Sequence, residues 1–244
     1  MKRVPLLLAM MISTCSPALL AQTDVPLFKP DSRILFQGDS ITDGNRGRNT
    51  DPNHILGHSY AFLIAARYGA SFPERNLVFL NRGISGNKVP QLADRWQKDT
   101  LDLKPTVVSI LIGVNDIWHP LNAGQPVSAE QFEAGYDKLL ADTVAALPNA
   151  KLVLGEPFIL PGNSNRENWD VWQGHLKTFQ GIVEKLGAKY HAPVVHYQKA
   201  FDAACKRAPA EYWIWDGVHP TYAGQQLMAD EWIRTVNATW PKGG

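Results

Sequence analysis

The chain contains the run Val107-Val108-Ser109-Ile110-Leu111-Ile112, which is apolar at every position but one. A run of this length and composition is typical of a strand that is buried on both faces, like the central strands of a parallel sheet. Other apolar runs with strand composition lie on either side of it, at residues 34–36, 77–80, 151–154 and 194–196. The sequence therefore predicts a sheet of about five strands.

Helical patterns alternate with these strands, at residues 59–68, 89–100, 129–146, 168–186 and 221–236. Gly187 is the expected end of the fourth helix, and the fifth begins just after Pro220. This alternation predicts an α/β protein with a parallel sheet, whose sites lie at the edge where the strands end. Two long polar loops, residues 42–57 and 157–167, follow predicted strands and are expected at that edge.

Composition favours a single globular domain. The 244 residues are 45% hydrophobic and 19% charged, which is enough for a full core. The formal net charge of +1 gives no indication of a nucleic-acid surface or of a polybasic membrane patch. The sequence shows no internal repeat or interdomain linker, so residues 22–244 are expected to form one domain.

The first 21 residues have the pattern of a secretory signal peptide. Lys2 and Arg3 precede a short apolar stretch at residues 4–12, and Ala21 is a plausible cleavage point. The stretch is too short and wrongly flanked for a membrane-spanning helix, so we expect a secreted or periplasmic protein without stable membrane insertion. Removal of residues 1–21 changes the formal net charge from +1 to −1, because two positive charges and no negative ones are lost.

Cysteine usage adds two expectations. Residues 12–15 only faintly resemble a lipoprotein signal, with Thr14 unusual before Cys15, so a lipid anchor on Cys15 is disfavoured. Cys205 is then the one cysteine of the mature chain, which excludes an intramolecular disulfide.

Three residue types needed for nucleophilic catalysis lie near the two ends of the chain. Ser40 follows the first strand in Gly38-Asp39-Ser40, while Asp216 and His219 are three positions apart before the last helix. A serine needs a base to remove its proton, and a carboxylate commonly orients that base. A serine that only caps a turn, and a turn aspartate beside a surface histidine, are the alternative interpretations of these residues. The absence of G-x-S-x-G excludes the nucleophile elbow of the common α/β-hydrolases.

Two further positions could stabilise an oxyanion. Asn115 follows the central strand in Gly113-Val114-Asn115-Asp116, where its side-chain NH₂ could donate a hydrogen bond. Gly86 follows the second strand and offers an unobstructed backbone N–H. A nucleophile, a base, an orienting carboxylate and two oxyanion donors are together what a site for acyl transfer requires.

The chain thus has four sequence blocks, which contain Ser40, Gly86, Asn115 and the Asp216/His219 pair in that order. In these four blocks the chain resembles the SGNH hydrolases, also called the GDSL esterase/lipase family. The resemblance extends from about Arg33 to Val236. It implies a flavodoxin-like three-layer α/β/α sandwich and no metal or cofactor. It also implies a catalytic triad of Ser40, Asp216 and His219, and an oxyanion hole formed by the backbone N–H groups of Ser40 and Gly86 with the side chain of Asn115.

The ester itself is less directly indicated. Polar loops and nearby tryptophans suit a sugar better than a long acyl chain, and small secreted members of the family often resemble carbohydrate acetylesterases. We therefore expect hydrolysis of acetyl esters on O-acetylated sugars or polysaccharides. The candidate substrate-binding residues are Asp39, Asp116, Trp118 and Trp215.

Other functions remain open at this point. A short-chain arylesterase, a lysophospholipase or a thioesterase would share the fold. A carbohydrate-binding module without catalysis would keep the aromatic loops but not the complete set of catalytic groups. A metal hydrolase is disfavoured, because the His54/His58 pair lies in a glycine-bearing loop without an H-E-x-x-H motif. The sequence does not indicate the oligomeric state.

Overall fold

A five-stranded parallel sheet forms the centre of the molecule. The computed structural model describes residues 24–117 and 127–241, so the predicted signal peptide, Cys15 and Trp118 lie outside the described residues. The strand order is β2-β1-β3-β4-β5, which is the order of flavodoxin-like folds. The strands are β1 (Arg33–Gly38), β2 (Val78–Asn81), β3 (Val107–Leu111), β4 (Lys151–Gly155) and β5 (Val194–Val195).

Helices cover the sheet in two layers. Helices α3, α4 and α5 pack against one another in chain order, and α2, α6 and α7 pack against α8. The predicted three-layer α/β/α sandwich is therefore confirmed. The helices are α1 (Ser40–Asp43), α2 (Tyr60–Ser71), α3 (Val89–Asp99), α4 (Ala129–Ala146), α5 (Trp169–Lys189), α6 (Tyr197–Ala204), α7 (Ala210–Trp213) and α8 (Tyr222–Thr239).

Strand β3 is central because its composition allows burial on both faces. All five of its residues are buried, including Ser109. Ser109 Oγ accepts a hydrogen bond of 2.9 Å from the indole N–H of Trp232 on α8. The same indole packs against the rings of Phe28 and Phe36. The one polar residue of the apolar run thus ties the sheet to the last helix.

Gly187 does not end α5, so that prediction is wrong. The helix continues through Gly187 to Lys189. A Cβ at Gly187 would lie 2.6 Å from Cγ2 of Val194. The glycine therefore allows α5 to approach β5 closely, which is a packing role that a sequence pattern cannot separate from helix termination.

The connections of β1 and β3 leave the sheet in opposite directions. From β1 the chain passes through α2 to β2 on one side, and from β3 it passes through α4 to β4 on the other. A crevice opens between the carboxyl ends of two neighbouring strands wherever connections diverge in this way. Residues 39–40 and 113–116 follow these two strand ends, so the fold brings them to one crevice.

We expect Trp232→Phe to destabilise the fold by about 1–3 kcal/mol, because it leaves the Ser109 hydroxyl without its indole partner and removes buried volume. Urea unfolding followed by circular dichroism measures the change. Trp215→Phe is the matched control, since Trp215 is 63% exposed and its substitution should change the free energy of unfolding by less than about 0.5 kcal/mol. Equal effects of the two substitutions would contradict the role given to the Ser109–Trp232 bond.

Candidate active site

Ser40 is the first residue of a short helix that begins directly after β1. Gly38 ends the strand, and a Cβ there would lie 2.4 Å from the carbonyl oxygen of Leu111 on β3. Asp39 caps α1, with its Oδ1 accepting the backbone N–H of Ile41 at 3.0 Å. The glycine permits the close pairing of the strand ends and the aspartate turns the chain, so Ser40 lies at the start of a helix on the edge of the sheet.

The Asp216 carboxylate organises the turn that carries His219. Its Oδ1 accepts the backbone N–H groups of Val218 at 2.9 Å and of His219 at 2.7 Å. Gly217 has a φ of +99°, which favours glycine. The other oxygen, Oδ2, lies 2.7 Å from His219 Nδ1. One carboxylate therefore both shapes the turn and orients the imidazole ring.

The loop of residues 157–167 holds this turn from outside. The backbone N–H of Leu160 donates to the carbonyl oxygen of Gly217, and that of Ser164 donates to the carbonyl oxygen of Asp216, both at 3.0 Å. A Cβ at Gly162 would lie 2.3 Å from backbone atoms of this turn. The long loop that the sequence placed near the site thus contacts the backbone of the catalytic candidates.

Ser40, His219 and Asp216 form one chain of hydrogen bonds. Ser40 Oγ lies 3.0 Å from His219 Nε2, although the two residues are 179 positions apart in sequence. With Nδ1 donating to Asp216, the neutral ring has its acceptor nitrogen toward the serine hydroxyl. This tautomer is the one that a general base requires.

The pKa shifts of the pair follow from this geometry. Burial raises the pKa of Asp216, but the hydrogen bonds that it accepts from His219 and Val218 lower the pKa by a larger amount. The net shift is therefore downward. The hydrogen bond with Asp216 raises the pKa of His219, against the opposing effect of burial. The carboxylate therefore favours the imidazolium that forms when the ring accepts a proton.

Gly86 and Asn115 are linked through Asn87, the residue that follows Gly86. Gly86 follows β2 with a φ of +81°, and Asn115 lies in a helical turn that begins after β3. The side chain of Asn115 donates from Nδ2 to the backbone carbonyl of Asn87 at 3.1 Å, which orients its amide. An amide NH₂ has two protons, so one remains to donate to an oxyanion.

Asp43 connects the helix of Ser40 to the loop of Gly86, a role that the sequence analysis did not predict for a residue of a polar loop. Its Oδ2 accepts both the backbone N–H and the hydroxyl of Ser85, at 3.0 and 3.1 Å. Arg48 binds both oxygens of the same carboxylate. Burial raises the pKa of Asp43, but the hydrogen bonds from Arg48 and Ser85 lower the pKa by a larger amount, so the net shift is downward. Its position three residues after Ser40, on the same helix, is the signal that could have identified it.

Asp39 and Asp116, which the sequence suggested as substrate contacts, are buried. They are 1% and 0% exposed, and Asp116 Oδ1 accepts the backbone N–H of Val89 at the start of α3. Burial raises the pKa of each carboxyl to about 7. Among the described residues, Oδ2 of each has no hydrogen-bond partner. The two carboxyls are therefore internal groups that cap helices and turns next to the site.

A pocket of about 420 Å³ opens over Ser40 and His219. Trp215, 63% exposed, lies in its wall, as the sequence suggested. The other predicted tryptophan, Trp118, lies outside the described residues. The remaining lining residues are Ile41, Gly44, Asn45, His58, Ser85, Pro220 and Gln225. The pocket wall thus combines polar side chains with apolar ones, including the broad aromatic surface of Trp215.

Within the described ranges, one group of side chains has the composition of a metal site, but it does not line this pocket. His196 Nδ1 lies 3.2 Å from Glu184 Oε1 and 3.5 Å from Glu156 Oε2. Contacts of one imidazole ring with two carboxylates account for this arrangement. The same described ranges contain no helix that is both long and apolar enough to cross a membrane.

Comparisons with known proteins agree with this architecture. A profile of the GDSL-like lipase/acylhydrolase family matches residues 36–227. An acetylxylan esterase from Geobacillus stearothermophilus is 30% identical over 214 residues, which cover 85% of this chain and 95% of that protein. A solved structure from Parabacteroides merdae, named as a GDSL-like lipase, aligns with a TM-score of 0.82 at 42% identity and covers 86% of this chain and 97% of that one.

The solved structures also include Axe2, an acetylxylan esterase from Geobacillus stearothermophilus. It aligns with a TM-score of 0.76 at 28% identity, covering 86% of this chain and 95% of that one. Three catalytic mutants of Axe2 replace a serine, an aspartate or a histidine by alanine. In Axe2 that histidine follows the aspartate by three positions, which is also the spacing of Asp216 and His219.

Asp116→Asn should make the protein less sensitive to alkali. A carboxyl whose pKa is raised in the folded state stabilises the fold while protonated, and that contribution is lost as pH rises from 3.8 through about 7. Asparagine keeps the acceptor for Val89 without the charge. We expect the free energy of unfolding at about pH 8 to rise by up to about 4 kcal/mol relative to wild type, with little difference at about pH 4.

Urea unfolding at the two pH values measures this difference. Asp94→Asn is the control, because Asp94 lies on the exposed surface of the same helix, α3. A variant with the same loss of stability between the two pH values as wild type would contradict the assignment of a buried, protonated Asp116.

Proposed function

The chain belongs to the GDSL-like lipase/acylhydrolase family and is a carboxylic ester hydrolase, and we propose that it removes acetyl groups from O-acetylated sugars or polysaccharides with Ser40, His219 and Asp216 as its catalytic triad. The single observation that carries this proposal is the continuous chain of hydrogen bonds from Asp216 through His219 to Ser40 at an open pocket. The spacing of the aspartate and histidine in the catalytic mutants of Axe2 supports the same assignment.

The proposed reaction is acyl transfer in two steps. His219 Nε2 accepts the Ser40 hydroxyl proton as Oγ attacks the ester carbonyl carbon, and Asp216 stabilises the resulting imidazolium. The tetrahedral oxyanion accepts hydrogen bonds from the backbone N–H groups of Ser40 and Gly86 and from the side chain of Asn115. The imidazolium then protonates the departing sugar oxygen, which leaves an acetyl group on Ser40.

Water completes the cycle by the same route. His219 removes a proton from a water molecule, whose oxygen attacks the acetyl carbonyl. Collapse of the second tetrahedral intermediate breaks the bond to Ser40 Oγ, which recovers its proton from His219. The products are acetic acid and the free enzyme, so the reaction needs no cofactor.

The choice of an acetylated sugar rests on the pocket and on one relative. Polar side chains such as Asn45, His58 and Gln225 line the pocket beside Trp215, and aromatic surfaces next to polar groups suit sugar rings. The 30% identical relative is an acetylxylan esterase. We further propose export of the protein with removal of residues 1–21, which rests on the sequence pattern alone.

Ser40→Ala should abolish both covalent labelling by a fluorophosphonate and acetate release from acetylated xylo-oligosaccharides, because Oγ is the attacking atom. Ser71→Ala, which changes a serine at the end of α2, is the control and should keep both. Acetate release is followed by a coupled assay, alongside a series of 4-nitrophenyl esters from acetyl to palmitoyl. Turnover that is fastest with long acyl chains, with no acetate from the sugars, would contradict the proposed substrate and favour a lysophospholipase.

Asp216→Asn should lower kcat by about 10²–10⁴-fold while the fold persists, since the imidazole loses the group that fixes its tautomer. The pH profile of kcat/KM adds a second readout. Activity needs neutral His219 and therefore falls as pH drops through the pKa of that residue, which Asp216 raises. The midpoint of the residual activity should accordingly move to lower pH in the variant. An unchanged midpoint would show that Asp216 does not act on His219 as proposed.

A further inference from the structure

Arg95 lies outside the four sequence blocks, yet it contacts the chain near two of the three proposed oxyanion donors and reaches the third through Asn87. It lies on α3, and its side chain is only 13% exposed. Its Nη1 donates to the carbonyl oxygen of Arg82 at 2.7 Å, and its Nε donates to Asn87 Oδ1 at 2.8 Å. These two partners lie on either side of Gly86. One guanidinium therefore holds both ends of the loop that carries the glycine N–H.

The same guanidinium also contacts the strand that leads to Ser40. Its Nη2 donates to the carbonyl oxygen of Gly38 at 3.3 Å, two residues before Ser40. The N–H of Ile84 donates to that same carbonyl at 3.1 Å, which pairs the loop of Gly86 with the end of β1. Nη1 additionally donates to Gln37 Oε1 at 2.9 Å. Arg95 thus connects the Gly86 loop to the residues that place the Ser40 N–H.

The third proposed donor is reached through Asn87. While the side chain of Asn87 accepts from Arg95, its backbone carbonyl accepts the hydrogen bond from Asn115 Nδ2. A shift of Asn87 would therefore move both the neighbouring Gly86 N–H and the acceptor that orients the Asn115 amide. From the groups that Arg95 contacts, each of the three donors is at most two residues or one further hydrogen bond away.

We infer that Arg95 is a positioning residue, which fixes the relative places of the three oxyanion donors. This inference rests on the proposed roles of Ser40, Gly86 and Asn115. The planar fork of an arginine can bind several carbonyl oxygens in fixed directions, whereas a lysine ammonium is a single point charge. Asp99 lies 3.2 Å from Nη1 and balances the charge, so the contribution of Arg95 is geometric.

The consequence is a loss of kcat rather than of substrate binding. The oxyanion donors act on charge that develops in the transition state, so misplacing them affects the ground-state complex little. Displacements of about 1 Å in an active site can cost about 100-fold in rate. We therefore expect Arg95→Met to lower kcat by about 10- to 100-fold with KM within about threefold of wild type.

The test compares Arg95→Met and Arg95→Lys using 4-nitrophenyl acetate, below the melting temperature of each variant. Arg95→Lys should lose nearly as much kcat as Arg95→Met, because it keeps the charge without the fork. Arg75→Met is the matched control, since Arg75 is a largely buried arginine that pairs with Asp24 and the Phe28 carbonyl. It should lower the melting temperature without lowering kcat. Restoration of kcat by lysine would overturn the geometric role.

A double-variant comparison separates positioning from general destabilisation. If Arg95 acts through the oxyanion hole, Arg95→Met should cost less in a background that already carries Asn115→Ala, because one of the three donors that it positions is already absent. Losses in kcat that multiply would overturn the inference. If Arg95→Met does not fold, Asn87→Ala removes one contact of the guanidinium and keeps the backbone carbonyl, and it should lower kcat in the same direction by a smaller factor. Wild-type kcat in Asn87→Ala would overturn the inference as well.

The choice of substrate keeps this inference apart from the proposed function. 4-Nitrophenyl acetate tests the oxyanion hole without a sugar, so a failure on acetylated sugars leaves the Arg95 result intact. Conversely, if Ser40→Ala retained its activity, the proposed triad would fail whatever Arg95 does.

Discussion

Strands β1 and β3 pair in parallel from Ile34 opposite Val107 to Gly38 opposite Leu111. Because both strands end at the same level, the residues that follow them leave the sheet side by side, and their diverging connections open the crevice between them. A slip of one residue would displace Ser40 relative to Asn115 by about 3.3 Å and would turn every side chain of the slipped strand to the opposite face. The register is therefore the condition on which the geometry of the site depends.

Three aspartates around the crevice convert this sheet edge into a defined site, and each accepts a backbone N–H. Asp39 binds Ile41, Asp43 binds Ser85, and Asp216 binds two successive N–H groups of its own turn. Their surroundings set their charge. Cationic or protonatable partners keep the pKa of Asp43 and of Asp216 low, whereas burial dominates at Asp39. All three carboxyls thus accept a backbone N–H, although the pKa of Asp39 is raised and the pKa values of Asp43 and Asp216 are lowered.

Sequence patterns predicted the parts of this molecule that local chemistry determines. The apolar run predicted β3, and α4 occupies residues 129–146 as expected, beginning after a Ser128–Gln131 capping box. The four family blocks predicted the residues that meet at the crevice. The contacts of Arg95 were not predictable, because its partners lie up to 58 positions away and a helical arginine usually faces solvent. The burial of Asp39 and Asp116, which were expected to contact substrate, was likewise not predictable. A polar residue that follows a strand has the same sequence pattern whether its side chain is buried or exposed.

Asp39 shows how stability and the proposed chemistry are related at this edge. A buried carboxyl with an unpaired oxygen among the described residues costs folding free energy, and such groups persist mainly beside functional sites. The charge of Asp39 raises the pKa of His219, and the charge of His219 lowers that of Asp39. Each charge therefore favours the other, so an ionised Asp39 stabilises an imidazolium at His219. Burial opposes that ionisation, which is why the pKa of Asp39 stays raised although the hydrogen bond from Ile41 and the nearby His219 both lower it.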